Sequence, residues 1–223
     1  RTIKKDSLFI AIKGDKFDGN DFVEEAFERG ASIAIVDNKK LLKIRNKNII
    51  YVKNTIGALK KISENIIKKY NGNVIAITGS NGKTTTTNII AHSLSNTSKT
   101  IGNYNNEIGM PLSIINASPK SKNIVMEIGA AKAGDIHYLS KILKPFIGVI
   151  TNIGNSHLET LKNINGVLSV KSEIVNNIKK DGYLIVPNEN KKHLSYWKLI
   201  RDDINIYSFG ISKSADFFAS DIR

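Results

Sequence analysis

The sequence has no cysteine among its 223 residues and few aromatic residues, at 7%. The absence of cysteine excludes disulfide bonds, thiolate metal sites and a cysteine nucleophile, and it fits a reducing compartment. No apolar run approaches the roughly 20 residues that a membrane-spanning helix needs, so we expect no membrane span. No signal peptide is visible, but the first residue is Arg1 and not Met. We therefore expect the sequence to begin inside a longer protein.

Negative charge is also scarce, because 20 Asp and Glu residues stand against 33 Lys and Arg residues and leave a net charge of +13. A surplus of this size is typical of proteins that bind nucleic acids or other anions. Only five of the basic residues are Arg, however, and the lysines are scattered along the chain. With abundant Ile and Asn, this bias is typical of an AT-rich genome. We expect a solvated lysine surface and no nucleic-acid partner.

Strand and helix patterns alternate along the chain, which predicts an α/β fold whose parallel sheets are covered on both faces. The turn Asn71–Asn73 predicts a boundary between a small first domain, residues 1–71, and a larger second domain, residues 72–223. Residues 55–70 carry an apolar stripe that predicts a helix. The predicted strands cover residues 8–12, 32–36 and 48–52 in the first domain and 74–78, 123–127, 146–151, 183–186 and 205–208 in the second.

The segment Thr78–Thr86, with the sequence T-G-S-N-G-K-T-T-T, follows a predicted strand and opens a predicted helix. This is the setting of a phosphate-binding loop, since glycines let backbone N–H groups approach phosphate oxygens and a helix N-terminus favours anions. In such a loop Lys83 reaches the β- and γ-phosphates and the Thr84 hydroxyl binds Mg²⁺. Ile77 stands where the longer pattern G-x-x-x-x-G-K-[ST] has its first Gly, so only the short form G-x-x-G-K-T is present.

Further candidates lie beyond this loop. Glu127 ends an apolar strand, and in open α/β sheets the carboxyl ends of strands carry the site, so its carboxylate is a natural Mg²⁺ ligand. His157 also follows a predicted strand, although a lone His is more often structural than a ligand. Lys171 lies on a predicted helix, and its local pattern does not distinguish it from a solvated lysine. The polar segment Asn103–Pro111 predicts a turn that leads into a helix.

Six blocks in order along the chain resemble the Mur ligase family, and within it the MurF type. This resemblance implies a small N-terminal α/β domain that binds a UDP-sugar substrate, followed by a P-loop parallel-sheet ATPase domain. It also explains the short form of the phosphate loop. The blocks are Asp6–Gly19, Thr78–Thr85, Asn105–Leu112, Glu127–Ala130 with Gly134–Ile136, Thr151–Gly154 with His157–Glu159, and Lys171–Ile174.

The resemblance implies two Mg²⁺ ions, one held by Thr84 and Glu127 and a second held with the help of His157. It implies that CO₂ carbamylates Lys171, which turns an ammonium into an anionic oxygen ligand and requires a lowered pKa of the amine. Lys83, His157 and Lys171 are then the catalytic residues. The residues implied to bind ATP are Gly79, Ser80, Asn81, Gly82, Lys83, Thr84, Thr85 and Asn106.

The activity implied is that of a cytoplasmic, monomeric ligase in the synthesis of peptidoglycan precursors. It uses ATP to join D-alanyl-D-alanine to UDP-N-acetylmuramoyl-tripeptide through an acyl phosphate. Family members have three domains and about twice this length. We therefore expect a fragment that is inactive alone, with a truncated first domain, an incomplete central domain and no C-terminal domain.

Three alternatives remain open. A MurE-type ligase would add a diamino acid, and only the block Asn105–Leu112 argues against it. A folylpolyglutamate synthase type would lack a counterpart of residues 6–31, which look like a UDP-sugar domain. From another class, the chain could be a basic nucleic-acid-binding module with a vestigial phosphate loop.

Overall fold

A computed structural model describes residues 3–45, 47–156 and 158–220 and confirms the predicted α/β class. The chain forms two units, Arg1–Ile62 and Ser63–Arg223. The division lies inside the helix Thr55–Lys69 and not at the predicted boundary between residues 71 and 72. The reason is packing, since Ile67, near the end of this helix, is buried in the core of the second unit.

The first unit contains a three-stranded parallel sheet, and the sequence pattern predicts its parallel strands; they are β1 (Ser7–Ile10), β2 (Ala31–Val36) and β3 (Ile49–Tyr51), which lie in that order. Its core is built from small apolar side chains, among them Ala26, Ala34 and Val36. Two 3-10 helices, Gly19–Phe22 and Lys39–Lys43, join these elements. The strands and helices are β1 (Ser7–Ile10), α1 (Val23–Glu28), β2 (Ala31–Val36), β3 (Ile49–Tyr51) and α2 (Thr55–Lys69), which continues into the second unit.

The second unit contains a seven-stranded parallel sheet in the order β10-β9-β8-β7-β4-β6-β5. Its elements are β4 (Asn73–Thr78), α3 (Lys83–Ser93), β5 (Thr97–Lys99), α4 (Gly109–Ile115), β6 (Asn123–Glu127), α5 (Asp135–Leu143), β7 (Ile147–Ile150), α6 (Leu158–Leu161), α7 (Ile164–Ser172), a 3-10 helix (Glu173–Asn177), β8 (Tyr183–Pro187), α8 (Lys191–Ile200), β9 (Asn205–Gly210) and β10 (Phe217–Phe218).

Strand β4 lies in the middle of this sheet and is buried from Val74 to Thr78. Its side chains alternate between two cores, because successive residues of a strand point to opposite faces. Val74 and Ala76 belong to one cluster, while Ile75 and Ile77 belong to a second cluster against which α3 packs. A near-continuous apolar run is what a strand covered on both faces requires.

Two short strands at the edges of the sheet, β5 and β10, were missing from the prediction. β5 is the polar run Thr97–Lys99 and β10 has only two residues. Neither has a periodic apolar pattern, so it is the hydrogen bonds to a neighbouring strand that make these segments strands. Within the described ranges no helix is both long and apolar enough to cross a bilayer.

The topology brings three loops together at the carboxyl end of the sheet's central strands. β4 pairs with β6 on one side and with β7 on the other, and all three strands are parallel. The loops that follow these strands therefore meet at their common carboxyl end, which is where open α/β sheets carry their sites.

Candidate active site

The loop between β4 and α3 depends on two glycines. Gly79 and Gly82 have φ values of +145° and +77°, a region that residues with a Cβ rarely adopt. A Cβ on Gly79 would also lie 1.9 Å from Thr151 Oγ1, whereas a Cβ on Gly82 would meet nothing within 4 Å. Gly82 caps α3 at its N-terminus, so the first N–H groups of the helix face outward as an anion site.

The segment after β7 holds this loop in place. Ser80 Oγ accepts hydrogen bonds from Gly154 N (3.0 Å) and Ser156 Oγ (3.0 Å) and donates one to Gly154 O (2.9 Å). The backbone N–H groups of Ser80 and Asn81 donate to the backbone and side-chain oxygens of Asn152, at 3.2 and 2.9 Å. The two residues predicted to bind ATP between the glycines therefore brace the loop in this structure.

Lys83 lies back over the loop that precedes it. Its Nζ donates to Gly79 O (2.9 Å) and Ser80 O (3.3 Å), and the side chain is half-buried. The ammonium group is thus held above the loop, beside the helix N-terminus where phosphates bind. Thr85, also predicted to bind ATP, is exposed in the first turn of α3.

Glu127 is almost fully buried, with 3% of its surface exposed, at the carboxyl end of β6. Thr84 Oγ1 donates to its Oε2 (2.6 Å) and Asn105 Nδ2 donates to its Oε1 (2.8 Å). Its backbone N–H donates to Thr100 Oγ1 (2.7 Å). The structure therefore brings together the hydroxyl and the carboxylate that the sequence predicts as metal ligands, 43 residues apart in the chain.

These donors fit Mg²⁺, which prefers oxygen ligands and is usually held by one or two carboxylates together with substrate phosphates and water. Among residues 3–45, 47–156 and 158–220, no group of three or more His, Asp or Glu side chains could hold a metal ion. A cation at Thr84 and Glu127 would thus complete its shell with phosphate and water oxygens. His157, the predicted ligand of a second Mg²⁺, lies outside the described residues.

Lys171 is only 1% exposed, although it is a lysine in the last turn of α7. Burial disfavours its ammonium form and the charge of Lys83 repels it, which together lower the pKa of Lys171 to about 8. Glu173 and Asp135 partly offset this shift. The lowered pKa agrees with the expectation from the family resemblance, and a lone helical lysine in the sequence carried no sign of it.

The two acidic neighbours of Lys171 are themselves held by backbone N–H groups. Glu173 accepts from Gly134 N (2.7 Å) and His137 N (3.0 Å) at the start of α5. Asp135 accepts from Ala131 N (2.9 Å) and Lys132 N (3.0 Å). Both carboxylates therefore order the loop after β6, and their negative charge favours the ammonium form of Lys171.

A cleft of about 860 Å³ lies between Lys83 and Lys171. Its lining includes Lys83, Lys171, Glu107, Tyr138 and the loop 129–135. Lysine side chains on its walls favour anionic substrates, as phosphoryl transfer between a nucleotide and a carboxylate would require.

Asn106, predicted to bind ATP, lines the same cleft, and its side chain also contacts the backbone before α4. Asn106 Oδ1 accepts from Gly109 N (2.8 Å) and Ile108 N (3.2 Å) and so holds the turn that leads into α4. The neighbouring Asn105 contacts Glu127, a contact that the sequence pattern does not predict. The signals that Asn105 gave were its place in the polar segment before α4 and at the start of the block Asn105–Leu112. Thr100, the acceptor for Glu127 N–H, gave no signal at all.

Comparison with known families agrees with this geometry. The profile described as "Mur ligase middle domain" matches residues 77–223, which contain the phosphate loop, Glu127 and Lys171. The profile described as "Mur ligase family, catalytic domain" matches residues 1–81.

Individual relatives are similar over nearly the whole chain. One from Buchnera aphidicola subsp. Baizongia pistaciae (strain Bp), named UDP-N-acetylmuramoyl-tripeptide–D-alanyl-D-alanine ligase, is 40% identical over 100% of this chain and 48% of its own length. A crystal structure of MurF from Acinetobacter baumannii has a TM-score of 0.87 at 32% identity, covering 99% of this chain and 48% of that one. A MurF ligase from Thermotoga maritima in complex with ADP has a TM-score of 0.84 at 30% identity, covering 96% and 49%. The chain therefore spans about half the length of these relatives.

Proposed function

Because the chain belongs to the Mur ligase family, we propose that the whole protein is a ligase that uses ATP to join D-alanyl-D-alanine to UDP-N-acetylmuramoyl-tripeptide. The relatives named or titled as this enzyme support the choice of substrates. The observation that best supports the use of ATP is the contact between Thr84 Oγ1 and Glu127 Oε2 at the phosphate loop. The proposal includes a cytoplasmic location, because both ATP and a nucleotide-linked precursor are consumed.

The reaction has two steps. An oxygen of the tripeptide carboxylate attacks the γ-phosphorus of ATP, the bond to the ADP oxygen breaks, and an acyl phosphate forms. The amine of the dipeptide then attacks the acyl carbon, inorganic phosphate leaves and the nitrogen loses a proton. Activation is needed because a carboxylate oxygen is a poor leaving group, whereas phosphate is a good one.

The residues of this chain serve the first step by countering negative charge. Both reactants are anions, and Lys83 would place its ammonium at the β- and γ-phosphates while the N-terminus of α3 binds them through N–H groups. Thr84 and Glu127 would hold Mg²⁺, which when bound neutralises phosphate charge.

We further propose that Lys171 carries a carbamate. Its neutral amine would attack CO₂, forming an N–C bond and losing a proton, and the product would present anionic oxygens to the second Mg²⁺. A pKa of about 8 leaves roughly a quarter of the amine neutral at pH 7.5, against about 0.1% for an ordinary lysine. Burial thus supplies the reactive form. Carbon-13 NMR of the full-length protein in ¹³CO₂ should show a carbamate signal that Lys171→Ala lacks.

The decisive experiment is coupled ADP release by the full-length protein with ATP and UDP-N-acetylmuramoyl-tripeptide. Turnover with D-alanyl-D-alanine, and none with a diamino acid, is the expected result. Turnover with only the diamino acid would place the protein with the MurE type and keep the ATP chemistry. No ADP release with either second substrate would contradict the proposed substrates.

One further experiment addresses the nucleic-acid alternative, which the net charge of +13 suggests. Filter binding of an oligonucleotide should show only weak association that disappears at moderate ionic strength. Retention of binding at high salt would favour that alternative.

A further inference from the structure

Asn105 is attached to the end of β6 at two points. Its side-chain Nδ2 donates to Glu127 Oε1 (2.8 Å), and its backbone oxygen accepts from Gly129 N (2.8 Å). Glycine at position 129 favours this approach, because a Cβ there would make tight contacts, 3.0 Å from Asn105 Oδ1 and 3.3 Å from its backbone oxygen. The loop before α4 is therefore held against the strand that carries the carboxylate.

The two oxygens of Glu127 consequently differ. Oε1 accepts the amide donor of Asn105, while Oε2 accepts the hydroxyl of Thr84, a group that can turn its hydrogen away and offer a lone pair to a cation. An amide N–H₂ has only donors and cannot do the same. The oxygen on the side of Thr84 is therefore the one that a cation can share with the hydroxyl.

We propose that Asn105 is a positioning residue that makes Glu127 a ligand through one oxygen, Oε2. The amide occupies Oε1 and fixes the plane of the buried carboxylate, so that Oε2 stays beside Thr84 Oγ1. This inference rests on the proposed function, since it requires a divalent cation with the nucleotide at this site. Partners that orient a ligand typically contribute 10–100-fold to metal affinity or activity.

The test is ADP binding to the full-length protein, measured by calorimetry once in excess Mg²⁺ and once in EDTA. Asn105→Ala should weaken ADP binding in Mg²⁺ about tenfold or more and leave the affinity in EDTA unchanged. Asn105→Leu, which fills a similar volume without a donor, should behave in the same way. The control is Asn103→Ala, an exposed asparagine two residues away, which should change neither affinity.

A double-mutant cycle identifies the group through which Asn105 acts. In a Glu127→Ala background, Asn105→Ala should have no further effect on the Mg²⁺-dependent affinity. An undiminished effect there, or equal weakening in Mg²⁺ and in EDTA, would overturn the inference while the proposed function stands. Wild-type protein that binds ADP equally in both solutions would overturn the proposed metal site and this inference with it.

Discussion

The indole Nε1 of Trp197 donates a 2.7 Å hydrogen bond to Ser172 Oγ, and Ser172 directly follows Lys171 in the chain. Ser172 Oγ in turn donates to Leu168 O (2.6 Å), and Trp197 and Ser172 are both buried. Helix α8 is therefore fixed to the last turn of α7, next to the lysine of the cleft. The helix turn that carries Lys171 is thus held by buried side chains of the second unit.

Removing this hydrogen bond should destabilise the second unit. Trp197→Phe deletes the donor and leaves a cavity, and we expect a loss of about 2–3 kcal/mol in the free energy of unfolding. Thermal unfolding followed by circular dichroism measures it. Tyr196→Phe on the same helix, at a side chain that is 37% exposed, is the control and should change stability little. Equal effects of the two substitutions would contradict the role given to Trp197.

The buried amine of Lys171 should make stability depend on pH. Its folded pKa of about 8 lies below the ordinary value of 10.5, so between these values the unfolded chain binds more protons and stability rises with pH. From pH 7.5 to 9.5 the gain should be ~2 kcal/mol in CO₂-free buffer. Chemical denaturation at both pH values measures the free energy of unfolding of the wild type and of Lys171→Met. The variant should lack the gain in stability between the two pH values. An identical pH dependence in the two proteins would show that the amine titrates normally.

The two glycines of the phosphate loop should differ in their tolerance of a methyl group. Both have positive φ, so Ala at either position adds backbone strain of about 1 kcal/mol or more. Gly79→Ala also drives a Cβ into Thr151, whereas Gly82→Ala meets open space. We expect Gly79→Ala to lower the melting temperature clearly more than Gly82→Ala. Equal losses from both would mean that the contact with Thr151 does not govern this loop.

Lys83 should be indispensable for turnover. Lys83→Ala removes the ammonium that counters charge at the transferred phosphoryl group, and we expect ADP release by the full-length protein to fall at least ~100-fold. A coupled assay measures the rate. Lys99→Ala, an exposed lysine on β5, is the control for loss of one positive charge. Release within a fewfold of wild type in Lys83→Ala would contradict the proposed phosphoryl transfer.

Local patterns in the sequence predicted most of the second unit. The phosphate loop is one contiguous segment, and its strand, glycines and helix start all lie within Asn73–Ser93. Apolar runs predicted the central strands because a strand that is buried on both faces must be apolar throughout. The domain boundary could not be predicted as well. The helix Thr55–Lys69 has an amphipathic pattern, and such a pattern does not indicate which of two cores buries each end of the helix.

By itself, the sequence determined the fold class, the phosphate loop and, through six ordered blocks, the family. Only the tertiary structure decided that Asn105 contacts Glu127, that Ser80 is braced by Gly154 and Ser156, and that Lys171 is buried. The physical reason is distance along the chain. These contacts join residues that the order of strands brings together, and the burial that shifts the pKa of Lys171 is a property of its surroundings, which no local pattern records.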